Sequence, residues 1–342
     1  MAATMKDIAK LVGVSINTVS HALKNKPDIS REMTRRIQQA AADLGYRPNL
    51  SARNLVLKKS SIIGLGVTEI DNPVRVEFCE KLRVLAQRDG YRLLTVSLDR
   101  DRQKCLEEFP CGYADGYILG ALWDLPEEAV VRSFIADCRK YQIPTVVFGA
   151  ADSFPADGVK IDLQASVRTL TRHLLDRGYQ DIALFADSIS EANFRGYAQA
   201  MEEAGLSGMI RRIELSCAAG KKLRADLSRS RMDNACDGMN RFLASGEKLP
   251  RAVIAANDLA AFGVLRSLRE HGISVPEQCA VAGVDNTEFG RYSNPPLTSI
   301  GFDRGRCAEA VWKLMIRRLN KQEKRPVVRT AVRQKLFERE ST

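Results

Sequence analysis

Apolar residues recur at helical spacing at Ile8, Leu11 and Val12, stop at Gly13, and resume at Val19, Ala22 and Leu23. The spacing predicts two short helices joined at a glycine turn, with Ser15 as the N-cap of the second, the pattern of a helix-turn-helix. A third helix is expected from near Ser30 through Ile37, Ala40, Ala41 and Leu44, ending at Gly45, with Pro48 preventing continuation. The head therefore occupies 1–47. Residues 48–60 open with proline and asparagine and end in Lys58 and Lys59; they are too few for a stable isolated helix and read as a linker of conditional helicity.

From Ser61 onward the texture changes to strands alternating with helices. Strands are expected at Ile62 to Val67, Arg92 to Ser97, Gly116 to Leu119, Thr145 to Phe148 and Val159 to Asp162, with helices at Val76 to Arg88 and Glu127 to Tyr141. The pattern then repeats. Helices are expected at Ser166 to Leu175, along Phe194, Tyr197, Ala198 and Met201, at Met232 to Leu243 and at Leu259 to His271. Strands fall at Ile182 to Phe185, Ile213 to Leu215, Ala252 to Ala256 and Ala280 to Val284. A closing helix from Asp303 to Leu319 carries Cys307, Val311, Leu314 and Arg318 along one face, and Val327 to Phe337 has the alternation of one or two strands. This is the pattern of a parallel α/β core, 61–342, in two subdomains. The first takes about 61–161 plus 290–322, the second about 162–289 plus 323–342.

Charge changes the picture in one place. Of the chain's net +10, the first sixty residues carry +7, from eleven basic residues against four acids. Such an excess sits where a phosphate backbone would be met, and affinity for it falls steeply with salt. A solvated basic face is the alternative on charge alone.

The 342 residues are 45% hydrophobic and 27% charged, a soluble globular composition with room for two or three domains. No secretory leader opens the chain and no apolar run reaches membrane-spanning length, so no membrane association and a cytoplasmic location are expected. The eight cysteines are scattered without a C-x-x-C pair, and His21, His173 and His271 have no ligand at metal spacing. Neither disulfides, nor a metal, nor a cofactor is expected.

Six motifs now stand in order: Met5 to Ser15 with Thr18-Val19-Ser20; Leu44 to Asn49; Phe194-Arg195-Gly196-Tyr197; Ala255-Ala256-Asn257-Asp258; Gly283-Val284-Asp285-Asn286; and Asn294-Pro295-Pro296-Leu297-Thr298. Together they resemble the lactose-repressor (LacI/GalR) family of bacterial transcription regulators over essentially the whole chain. The resemblance implies an all-α helix-turn-helix DNA-binding head plus an α/β two-subdomain core like a periplasmic binding protein. It implies a homodimer that reads a pseudo-palindromic operator in double-stranded DNA, controlled by a small-molecule effector such as a carbohydrate, a derivative of one, or a nucleobase.

On this resemblance Ile16, Asn17 and His21 fall at base-reading positions. Asparagine pairs bidentately with adenine, isoleucine makes apolar contact, and His21 departs from the arginine that many members carry. Thr4, Ser15, Thr18, Ser20 and Ser30 match contact positions on the same surface; Thr4, Ser15, Thr18 and Ser30 are the phosphate-holding ones, and capping is their alternative role. The linker, with Asn49 and Ala52, corresponds to a hinge helix that inserts Leu55 into the minor groove. Val56 stands where a basic residue is common.

The effector is implied to lie in the cleft between the subdomains, beyond the carboxyl ends of the strands and beside three chain crossings. Arg195, Asn257 and Asp285 fit that place, and arginine with carboxylate suits a polyol or a purine. A solvated arginine, a helix cap at Asn257-Asp258 and a turn at Asp285-Asn286 are the alternatives. Asp71 and Asn72 match the first cleft loop, where Arg75 replaces a stacking aromatic and either favours an anionic effector or faces solvent. Trp123 is either a stacking surface or packing.

The competing class is a cytosolic α/β sugar- or nucleotide-processing enzyme with a basic extension. Against it stand the lack of G-x-G-x-x-G, of a P-loop and of a G-x-S-x-G elbow, and of a histidine placed as general base. A protein that is not an enzyme is therefore expected.

Overall fold

A computed structural model describes residues 3–46, 59–68, 72–98, 102–107, 109, 113–120, 128–149, 151–186, 191–215, 231–320 and 326–342. The chain divides into two compact units, Met1–Ser60 and Ser61–Thr342.

Among its described residues the first unit holds α1 (Met5–Val12), α2 (Ile16–Leu23) and α3 (Arg31–Asp43), as the spacing predicts. Each starts at a hydroxyl N-cap. Thr4 and Asp7 form a reciprocal capping box, and the Thr4 hydrogen bonds hold the Asp7 carboxyl below its ordinary range. Ser15 Oγ accepts from the Thr18 amide at 3.0 Å, and Ser30 Oγ from the Met33 amide at 3.3 Å. Gly13 turns between α1 and α2 at φ 78°, a conformation glycine adopts without a Cβ penalty. Ile8, Val19, Ala22 and Ile37 are fully buried and knit the three helices into a small core.

The second unit contains two six-stranded sheets. The first has the order β11-β5-β4-β3-β1-β2 and the second β12-β10-β9-β8-β6-β7. Strands β1 (Ile62–Val67), β2 (Arg92–Ser97), β3 (Gly116–Gly120), β4 (Thr145–Gly149) and β5 (Asp157–Lys160) are parallel, and α4 (Pro73–Arg88), α5 (Arg102–Glu107) and α6 (Glu128–Lys140) connect them. The second sheet repeats the theme with α7 (Leu163–Asp176), β6 (Ile182–Ala186), α8 (Glu191–Glu203), β7 (Arg211–Glu214), α9 (Arg231–Ala244), β8 (Ala252–Ala255), α10 (Asp258–Glu270) and β9 (Ala280–Val284). Strands covered on both faces read as continuous apolar runs. Thus β3, β6, β8 and β9 are buried at every residue.

After β9 the chain adds β10 (Thr298–Phe302) to the second sheet and then α11 (Arg304–Leu319), whose buried Cys307, Val311 and Met315 pack with α4 in the first core. It continues as β11 (Arg329–Ala331), parallel to β5, and β12 (Gln334–Phe337), antiparallel to β10. The path therefore crosses between the sheets three times: after β5, between β10 and α11, and between β11 and β12.

This corrects the expected boundaries. Residues 298–302 belong to the second sheet and 329–331 to the first, so the last two crossings lie later in the chain than 289 and 322. Strand β10 escaped the pattern because Thr298 and Ser299 read as polar; they are buried with their hydroxyls hydrogen-bonded to the Arg339 carbonyl and to Asp258. Among the described residues, no helix is long and apolar enough to cross a membrane.

Candidate nucleic-acid interface and effector site

In the head, Ile16, Asn17, Ser20 and His21 occupy the side of α2 turned away from buried Val19 and Ala22. Ile16 is 48% exposed, although isoleucine is ordinarily buried. Asn17 is exposed, and His21 is half-buried because its Nδ1 pairs with the Asp28 carboxylate while Nε2 lies 3.5 Å from Lys26 Nζ. That clamp was not legible in the sequence, because Asp28 lies seven residues on, across a turn.

Ser15 and Thr18 hydroxyls lie 2.8 Å apart at the N-terminus of α2, where amide donors favour an anion. Lys6, Lys10, Lys24, Lys26, Arg31, Arg35 and Arg36 are all exposed. Of the acids nearby, Asp7 is taken up by Thr4 and Asp28 by His21. The surface is thus a polar helix face set among cations, chemically fit for base edges flanked by phosphates. Asn49, Ala52, Leu55 and Val56 lie outside the described residues.

The core's strand-end residues divide differently from expectation. Asn72 is the N-cap of α4, 1% exposed, with Oδ1 accepting from the Val74 amide at 3.0 Å. Arg75, one turn on, is 6% exposed, so the solvent-facing alternative is wrong. Its charge reaches the thiols of Cys79 and Cys307, offsetting in part the burial that pushes them up to about 11 and about 12. Asp71 and Trp123 lie outside the described residues.

Arg195 lies a turn inside α8 and is exposed; among the described residues nothing pairs with it. Asn193 takes the inward position instead. It is 6% exposed, its Nδ2 donates to the Ala256 carbonyl at 3.1 Å just past the carboxyl end of β8, and its Oδ1 is buried without a partner among the described residues. The signal was in the sequence: Asn193, Tyr197, Ala200 and Met201 share one helical face. Of the expected face, Tyr197 and Met201 are buried, whereas Phe194 and Ala198 are only partly so and Asn193 and Ala200 are the inward residues beside them.

Asn257 is the N-cap of α10, its Oδ1 accepting from the Ala260 amide at 2.9 Å, as the capping alternative holds. Its neighbour Asp258 is fully buried and accepts from Thr287 and Ser299. Asp285 and Asn286 both adopt positive φ, 113° and 49°, in a turn at the carboxyl end of β9. That turn is anchored by Arg304, which donates to the Asp285 carbonyl at 2.8 Å and the Asn286 carbonyl at 2.6 Å. Asn193, Asn257 and Asp285 therefore all stand at carboxyl ends in the second sheet, and Arg195 does not join them.

Two parts of the chain match known families. Residues 4–49 match "Bacterial regulatory proteins, lacI family", and residues 171–342 match "Periplasmic binding protein-like domain". The chain is 29% identical over 344 residues to the HTH-type transcriptional repressor PurR of Glaesserella parasuis serovar 5 (strain SH0165), covering 95% of this chain and 92% of that protein. It is 29% identical over 328 residues to the ribose operon repressor of Escherichia coli (strain K12), covering 93% of each. The solved structure of the lac repressor dimer bound to operator and the anti-inducer ONPF superposes with TM-score 0.81 at 23% identity. It covers 100% of this chain and 99% of that one, a likeness of fold.

Proposed function

This chain belongs to the lacI family of bacterial regulatory proteins, a DNA-binding transcription regulator and not an enzyme, and from that premise we propose that it is a homodimeric repressor of a pseudo-palindromic operator, switched by a small molecule. The observation that carries the reading is the outward face of α2, with exposed Ile16 and Asn17 set among exposed cations. Asn17 serves adenine bidentately, Ile16 a thymine methyl, and Ser15, Thr18 and Ser30 fix register on phosphates.

The effector, a sugar, sugar derivative or nucleobase, binds at the carboxyl ends of the strands, with Asn193, Asn257 and Asp285 from the second subdomain and Asn72 and Arg75 from the first. Paired amide and carboxylate groups offer the directional donors and acceptors that hydroxyls or ring nitrogens need. An effector that prefers one arrangement of the subdomains shifts the equilibrium through the three crossings and so alters operator affinity. Exposed Phe289 (60%) and Tyr292 (76%) form an apolar patch that a second copy would cover.

The test is selection of bound sequences from a random duplex library, followed by gel-shift titration of the selected site. A palindromic consensus with half-sites one helical turn apart supports the reading. Recovery of no consensus, with binding that depends on salt alone, would overturn it.

A further inference from the structure

Apart from the operator and the cleft effector, the core carries an open groove of about 1190 Å³ along α11 and the two closing strands. The residues after position 60 carry only +3 in total. Yet the walls of this one groove hold seven basic side chains and two acidic ones. The acids are already engaged: Glu77 lies 3.6 Å from Lys81 and 3.4 Å from Arg304, and Asp303 lies 3.8 Å from Arg306. Among the described residues, Lys313, Arg317, Arg333 and Lys335 have no acidic partner.

A solvated basic face would leave its polar atoms in water. Here Arg317 Nε and both amide atoms of Gln334, all in the groove wall, are shielded from solvent and make no hydrogen bond. Buried donors and acceptors of this kind are normally satisfied, and a guanidinium left with an open Nε–H is matched by a phosphate or carboxylate oxygen. The adjacent amide of Gln334 adds a donor for such an anion and an acceptor for a hydroxyl or a protonated oxygen.

We propose that this groove is a second small-molecule site, for a ligand bearing two or more phosphate or carboxylate groups, one seated on Arg317 and Gln334 and another on Arg333 or Lys335. Its position supplies a consequence. The groove is lined from Val328 through Ala331 of the first sheet to Gln334 and Phe337 of the second, so a bound polyanion spans the last crossing between the subdomains. By preferring one arrangement of the subdomains it biases the same equilibrium as the cleft effector, so the two ligands are thermodynamically coupled.

Isothermal titration of the full-length protein with inorganic pyrophosphate at 150 mM salt tests the proposal, with inorganic phosphate as the single-group control. One saturable site per chain is expected, with phosphate binding at least tenfold more weakly. Arg317→Gln combined with Lys335→Gln should weaken pyrophosphate at least tenfold while leaving the unliganded melting temperature unchanged. Arg35→Gln with Arg36→Gln, in the basic head, should leave it untouched. Should the double groove substitution unfold the chain, Lys313→Gln and Arg333→Gln, both exposed, serve in its place. Non-saturable binding, equal binding by the groove variants, or loss in the head variant would each overturn the proposal. So would a poly-glutamate peptide that binds saturably at the groove where pyrophosphate does not, because the surface would then serve an acidic protein segment.

Discussion

Asp258 and Thr287 are joined twice: Asp258 Oδ2 accepts from the Thr287 amide at 2.6 Å and from its hydroxyl at 2.9 Å. The other carboxylate oxygen accepts from Ser299 Oγ at 2.6 Å. All three residues are buried, so one side chain at the head of α10 fixes both the segment after β9 and the start of β10. Burial dominates its ionisation and pushes the carboxyl from its ordinary 3.8 up to about 6, the three hydrogen bonds and Arg304 pulling it partly back.

A pH signature follows from that shift. The folded state keeps the Asp258 proton where the unfolded chain has lost it, so the stability this contributes is full below about pH 3.8 and is lost as pH rises through about 6. The slope is at most about 1.4 kcal/mol per pH unit. Urea melts of the parent and Asp258→Asn across pH 4 to 8 should show the parent's advantage shrinking over that window and constant above it. A gap between the two that does not change with pH would refute the assignment.

Gly196 lies at the contact between α7 and α8: a Cβ built there stands 2.2 Å from the Gln164 carbonyl oxygen. That oxygen is backbone and cannot rotate aside. Gly196→Ala should therefore cost roughly 1–3 kcal/mol, against a gain of about 1 kcal/mol expected from helix propensity alone. Thermal melts check it; an unchanged or raised melting temperature would show that the helices shift freely.

The legible and illegible parts of the molecule differ in how far apart their causes lie in the chain. The head was legible because Ser15, Gly13 and Ser30 act on amides and turns within three residues of themselves. Strands β1 and β9 were legible at both ends because a parallel strand covered on both faces has to be apolar throughout. Strand β10 was not, because its burial rests on Asp258 and Arg339, each about forty residues away. The effector site was misread at one position for a different reason. Charge drew attention to Arg195, whereas the helical period, a local signal, marked Asn193 as the inward residue.

That difference can be measured. Asn193→Ala should weaken whichever sugar, sugar acid or nucleobase stabilises the protein in a thermal-shift screen by about tenfold, the worth of one hydrogen bond to a bound group. Arg195→Ala should leave its affinity within a factor of two. The reverse order of effects would return Arg195 to the site and remove Asn193.

The self-association surface is equally open to attack. Phe289 and Tyr292 sit together on a short turn after β9, and burying two aromatic side chains is a large part of a dimer's stabilisation. Phe289→Asp with Tyr292→Asp should shift sedimentation at micromolar concentration from dimer toward monomer without changing the circular dichroism of the fold. A dimer that persists unaltered would place the interface elsewhere.

The head separates positioning from reading, and the two respond differently to salt. Asn17 is exposed on α2 and carries no charge, whereas Arg35 and Arg36 are exposed on α3 and do. Asn17→Ala removes a base-edge contact worth about 1–3 kcal/mol, so specific affinity should fall about tenfold or more while affinity for random duplex holds. Arg35→Gln should weaken both alike and lower the slope of log affinity against log salt by about one, because one fewer counterion is released on binding. Fluorescence anisotropy at four salt concentrations, on the selected operator and on a scrambled duplex, distinguishes these outcomes. If Asn17→Ala weakened both duplexes equally, the outward face of α2 would be a phosphate contact, and sequence would have to be read by another element.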